Sequence, residues 1–140
     1  MNTKLINVHP ELVAKVNRLL YALAELGFPM MVTDGARTDA EQILAYKKGR
    51  DASGRVVQPH AVVTNCDGIH TRSNHQVHED GFAYAVDCCF LVDGRPSWDD
   101  KLPWDLYGLA AEKLGLRWGG RWSHPVDRPH IEMPVTAVKA

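Results

Sequence analysis

Histidines and aspartates are placed along this chain so that they could build a hydrolytic metal site. Four of the seven histidines fall between His60 and His78, and His124 and His130 lie near the carboxyl end. Neutral imidazole is the commonest protein ligand for zinc, and two imidazoles with one carboxylate leave a coordination position open to water. Asp87 is the carboxylate that stands out, as the one charge in the apolar run from Phe82 to Val92. Burying it unpaired would be costly, so a cation should lie beside it; a buried ion pair or a solvent-facing strand position are the plainer readings. The segment Asp127-Arg128-Pro129-His130-Ile131-Glu132 adds a second pattern. Pro129 restricts the backbone just before His130, and Asp127 lies three residues upstream, within reach of a water beside a metal held by His130. Glu132 competes for that role because alternate residues of a strand share a face. Asp127 could equally be a turn residue bonded to local N–H groups.

These side chains need elements to hold them. Leu12, Val16, Leu19, Leu20, Leu23 and Leu26 recur at spacings of three and four, which predicts an amphipathic helix over Glu11 to Leu26, ended by Gly27 and Pro29. Met30 to Thr33 reads as a short strand, and Asp34-Gly35 as the turn that leaves Arg37 at an edge. Thr38 and Glu41 form a capping box for a helix from Asp39 to about Lys48. Residues 49–80 show no sustained period and read as a long loop region, a feature that compact domains usually keep for function. Phe82 to Val92 predicts a buried strand. A helix is expected from Trp104 to Leu114, capped by Gly115, and a last short strand from His130 to Met133. The order implies an α+β fold: one domain over residues 1–140 with a small, mainly antiparallel sheet and helices packed on one side. Trp118 and Trp122 either pack the core or line a groove.

Composition limits the alternatives. The 140 residues suit one core, and 45% hydrophobic with 24% charged residues is an ordinary globular balance. A net charge of -1 with scattered basic residues offers no stripe for nucleic acid. No run is long enough to span a membrane, and Met1 to Pro10 carries no signal-peptide pattern, so synthesis in the cytoplasm is expected. Of the three cysteines, Cys88 and Cys89 are expected as small core residues and Cys66 lies in the loop region, which implies free thiols in a reducing compartment.

Four segments taken in order resemble the zinc D-alanyl-D-alanine carboxypeptidases and L-alanyl-D-glutamate endopeptidases. They are Gly35-Ala36-Arg37-Thr38 with Glu41-Gln42, Ser73-Asn74-His75, Ala85-Val86-Asp87, and Asp127-Arg128-Pro129-His130; Trp118-Gly119-Gly120-Arg121-Trp122 is similar to the stretch that precedes the last of these. The resemblance implies Zn2+ held by His75, Asp87 and His130, Asp127 as general base, and Arg37 and Ser73 as substrate contacts. His124 is a further candidate for steadying the oxyanion or orienting Asp127. His75 and Asp87 stand twelve positions apart, more than in compact members of the family. Residues 76–80 must therefore loop out, and His78 is the rival first ligand. The function implied is hydrolysis of peptidoglycan stem peptides, as an L-alanyl-D-glutamate endopeptidase of the phage or prophage endolysin type. The enzyme would act as a monomer on the wall after release from the cytoplasm, without nucleic acid or membrane as partner. A D-alanyl-D-alanine carboxypeptidase would use the same residues; a non-catalytic zinc module is the reading from another class.

Overall fold

The computed structural model describes residues 2–123 and 125–134. Helix α1 (Pro10–Glu25) starts one residue earlier than the periodicity predicts, because His9 caps it through Nδ1 and Pro10 occupies the first turn, where its missing N–H costs nothing. Its buried stripe is Leu12, Val16, Leu19 and Leu23, each side chain worth roughly 1.5–3 kcal/mol of burial. Gly27 ends it with φ +91°. Strand β1 (Met30–Asp34) follows, then α2 (Asp39–Lys47) behind the complete Thr38/Glu41 capping box. After the loop region come β2 (Ala85–Val92), β3 (Arg95–Ser97), α3 (Trp104–Lys113), β4 (Arg117–Trp118) and β5 (His130–Glu132). Strand β2 starts three residues later than expected, because the backbone N–H groups of Ala83 and Tyr84 bond to Asn7 and Asn74 in flanking loops.

Every sheet pairing is antiparallel, in the order β1-β2-β5-β4, with β3 on the far end of β2. The helices α1 and α3 pack against one face: their apolar stripes meet Val32, Val86, Cys88, Phe90 and Ile131 in a single core. Cys88 and Cys89 are both buried and free, as expected. The fold is thus the expected α+β arrangement, except that α2 buries only Gln42 and stands outside the core.

The other face of the sheet carries the chemistry. Val86 pairs with Ile131, Asp87 with His130 and Ala85 with Glu132. Because side chains alternate across a strand, Val86 and Ile131 point to the core while Asp87, His130 and Glu132 project together to the opposite side. A register shift between Val32 and Asp34 brings Asp34 opposite Asp87.

Candidate metal centre and active-site cleft

His75, Asp87 and His130 each present a ligand atom, and these atoms lie within 4.8 Å of one another; they form the only such group among the described residues. Nε2 of His75 is 3.3 Å from Oδ1 of Asp87, and Nδ1 of His130 is 3.2 Å from the same oxygen. A tetrahedral zinc with bonds of about 2.0–2.1 Å has ligand–ligand edges of roughly 3.3 Å, and the two edges at Asp87 fit that ion. Each ring is turned by its other nitrogen. Nδ1–H of His75 donates to the Gly35 carbonyl at 2.8 Å, and Nε2–H of His130 donates to Glu132 at 2.7 Å. Those bonds turn Nε2 of His75 and Nδ1 of His130 toward Asp87, where each offers a lone pair to an ion once it carries no proton.

The electrostatics agree with a site built for a cation. Burial works to raise the Asp87 pKa, but the His75 and His130 rings outweigh it and hold the carboxyl well below its usual range. Burial disfavours charge on His130, yet Asp87 and Glu132 overcome it and push its pKa up to about 9. Without metal, the imidazolium itself supplies the positive charge that the carboxylates require. Asp127 stands at the open side, its Oδ2 3.9 Å from Nδ1 of His130, and burial followed by the Asp87 charge raises its pKa. A carboxylate with raised basicity next to ligand atoms can accept a proton from water.

The Asp127–His130 segment is held at nearly every backbone group. Asp127 N–H donates to Gly119 O, Trp118 Nε1 to Arg128 O, and both Cys88 N–H and Tyr107 hydroxyl to Pro129 O. Gly119 is required here, since a Cβ on it would collide with the Asp127 carbonyl and come within 3.1 Å of the Asp127 and His130 Cβ atoms. The Trp118 indole lies over Gly108 and Gly120, where no side chain fits. The two tryptophans therefore divide: Trp118 is buried core that also anchors the loop, whereas Trp122 is exposed, with its ring centroid 4.9 Å from that of His130.

A cleft of about 290 Å³ opens over His75, Asp87 and His130, and Arg37, Arg72, Ser73, Trp122 and Asp127 are among its walls. Arg37 is tied by Nε and Nη2 to Asp34 and by Nη1 to Gln42 at 2.8 Å. Of its five N–H groups two stay free for a substrate carboxylate. Ser73 Oγ accepts from His75 N–H at 3.1 Å and keeps its own proton available to the cleft. His78 is elsewhere: it stacks on Tyr84 with centroids 3.9 Å apart. Residues 78–82 close a turn through Gly81, so the extra length between His75 and Asp87 loops away from the centre. Glu132 lies behind His130, bonded also to Asn74 Nδ2 at 2.9 Å, which fits an orienting group rather than the rival base. His124 lies outside the described residues.

Sequence reasoning missed several supporting groups. Buried Gln42 donates to Cys66 O at 2.8 Å and Thr64 Oγ1 at 3.2 Å, clamping the loop beside Arg37. Buried Gln76 joins Ser73 N–H, Gly68 O and Asp39. Gln42 stands in the Glu41-Gln42 motif without a role assigned to it, and a polar residue in an irregular loop such as Gln76 gives no periodic signal.

Comparison with known proteins decides the relationship. The family model described as D-alanyl-D-alanine carboxypeptidase matches residues 67–133, the stretch that holds His75, Asp87, Asp127 and His130. Over that stretch, just under half of its length, the chain is similar to this peptidase family. Peptidoglycan L-alanyl-D-glutamate endopeptidase CwlK of Bacillus subtilis is 29% identical over 136 residues, covering 91% of this chain and 74% of that protein. The crystal structure of the Serratia marcescens L-Ala D-Glu endopeptidase ChiX is similar with a TM-score of 0.57 and 26% identity, over 98% of this chain and 88% of that one. The D,D-pentapeptidase VanY of a VanB-type vancomycin resistance cassette, solved with Zn(II), shares the fold at a TM-score of 0.58 and 17% identity, over 94% and 76%.

Proposed function

We propose that this peptidase cleaves the L-alanyl-D-glutamate bond of peptidoglycan stem peptides, with zinc held by His75, Asp87 and His130. The observation that carries the reading is the convergence of three ligand atoms on one point with Asp127 beside them. The choice of bond is supported by similarity to two endopeptidases over most of their length. When bound, zinc supplies Lewis acidity, polarising the scissile carbonyl and lowering the pKa of water toward about 7.

The remaining work falls to the chain's own residues. Asp127 takes the proton of the attacking water and passes it to the leaving amine. Arg37 receives the glutamyl carboxylate with its free N–H groups, while Asp34 and Gln42 keep the guanidinium in one orientation. The Ser73 hydroxyl donates to the same end of the peptide. Gly35 O and Glu132 hold the two imidazoles in the tautomers that ligation needs. The enzyme works as a monomer and reaches the wall after release from the cytoplasm, in the endolysin role.

Mass spectrometry of muropeptides after digestion tests the reading. New amino-terminal D-glutamate is expected, with loss of activity on chelation and in Asp127→Ala, which keeps its zinc. Release of terminal D-alanine instead would make the enzyme a carboxypeptidase.

A further inference from the structure

Asp127 borders a second recess as well as the catalytic cleft. This recess has a volume of about 430 Å³, is lined by Trp98, Asp100, Val126, Arg128 and Pro129, and shares Asp127 alone with the walls of the cleft. Trp98 is 53% exposed and Val126 54%, so the recess offers apolar surface to a ligand. On the rim, Arg128 Nη1 lies 3.5 Å from Asp100 Oδ1, with both side chains largely open to solvent. The recess thus pairs an exposed indole with a hydrogen-bond donor and an acceptor, whereas the cleft that shares Asp127 with it has Arg37 and Arg72 among its walls.

The geometry points to this recess as a subsite for the amino sugar that carries the stem peptide. The inference rests on the endopeptidase reading. In that reaction the acidic residue after the scissile bond goes to Arg37, so what precedes the bond must extend past Asp127. Only one alanine precedes it, and beyond that lies the lactyl ether of the muramyl ring. A single alanyl group fills a small part of such a recess. A pyranose matches the remainder: its C–H face stacks on the indole, and its hydroxyl and acetamido groups meet Asp100 and Arg128. Trp98 would then set preference for glycan-linked over free peptide and take no part in bond cleavage.

The test compares kcat/KM for N-acetylmuramyl tripeptide and for the same tripeptide with an acetyl group in place of the sugar. Wild-type enzyme is expected to prefer the muramyl substrate. Trp98→Ala should lose roughly three- to tenfold of that preference, as for an aromatic stacking contact, with the rate on the sugar-free peptide unchanged, and Trp98→Phe should keep part of it. An identical substrate ratio in wild type and Trp98→Ala, or an equal fall on both substrates, overturns the subsite while leaving the endopeptidase intact. If wild-type enzyme cuts neither substrate between alanine and glutamate, the endopeptidase reading fails and takes the subsite with it.

Discussion

Replacing Glu132 by alanine should weaken zinc binding roughly ten- to a hundredfold, the usual cost of removing a group that orients a metal-binding histidine. Glu132 is 6% exposed and accepts from His130 Nε2–H at 2.7 Å and from Asn74 Nδ2 at 2.9 Å. Its removal strands two donors, each costing about 1–3 kcal/mol where water does not replace the acceptor. The His130 share falls mainly on the metal-bound state. There the ring must keep its proton on Nε2 so that Nδ1 can face the ion, whereas the metal-free imidazolium keeps a second partner in Asp87 and can shed its Nε2 proton once Glu132 is gone. A difference of about 1.4 kcal/mol is tenfold in affinity, so one stranded donor accounts for the range. Competition with a chromophoric chelator measures the dissociation constant, and the visible spectrum of the cobalt-substituted protein reports ligand geometry. Asn74→Ala should move both in the same direction by less. Zinc affinity within twofold of wild type in Glu132→Ala, with an unaltered cobalt spectrum, would refute the orienting role.

Proton linkage gives another expectation. The His130 pKa in the metal-free protein, about 9, lies above the ordinary 6.5, so the charged ring stabilises that form fully below 6.5 and the contribution is lost as pH rises through 9. Zinc must displace this proton, and its affinity should rise up to about tenfold per pH unit between 7 and 9, then level off; a flat titration from pH 6.5 to 9 would contradict it. Gly119→Ala should destabilise by about 1–3 kcal/mol through overpacking and lower turnover by displacing Asp127, read by thermal unfolding and steady-state kinetics. Gln42→Leu leaves Arg37 Nη1 and the Cys66 carbonyl unsatisfied; about 1–3 kcal/mol of stability should be lost and KM should rise more than kcat falls.

Two of the three segments that converge were legible because each combines a chemically distinctive residue with a local constraint. Asp87 announces itself as a charge in an apolar strand, and His130 follows a proline at a fixed distance from Asp127. Helix α1 and the Thr38/Glu41 cap follow from periodicity and local hydrogen bonding, which act within a few residues and so are written in order along the chain. The choice between His75 and His78 was different, since both fall in an aperiodic loop. It depended on the turn at Gly81 and on the Gly35 carbonyl, forty residues away in sequence from the imidazole it orients. Similarly, Glu132 could have been base or orienting group from its strand position, and only the side of the His130 ring on which it lies separates the two.

What the chain order determined by itself was the three helices and strands β1, β2 and β5, though not the short β3 and β4, together with the alternation that sends Val86 and Ile131 inward and the residue types able to bind a metal. Tertiary structure alone decided which nitrogen of each imidazole faces Asp87, which tryptophan meets solvent, and what borders Asp127. The physical reason is range. Backbone propensity and side-chain period are local, whereas tautomer, basicity and access are set by whichever distant group is packed within about 3–4 Å.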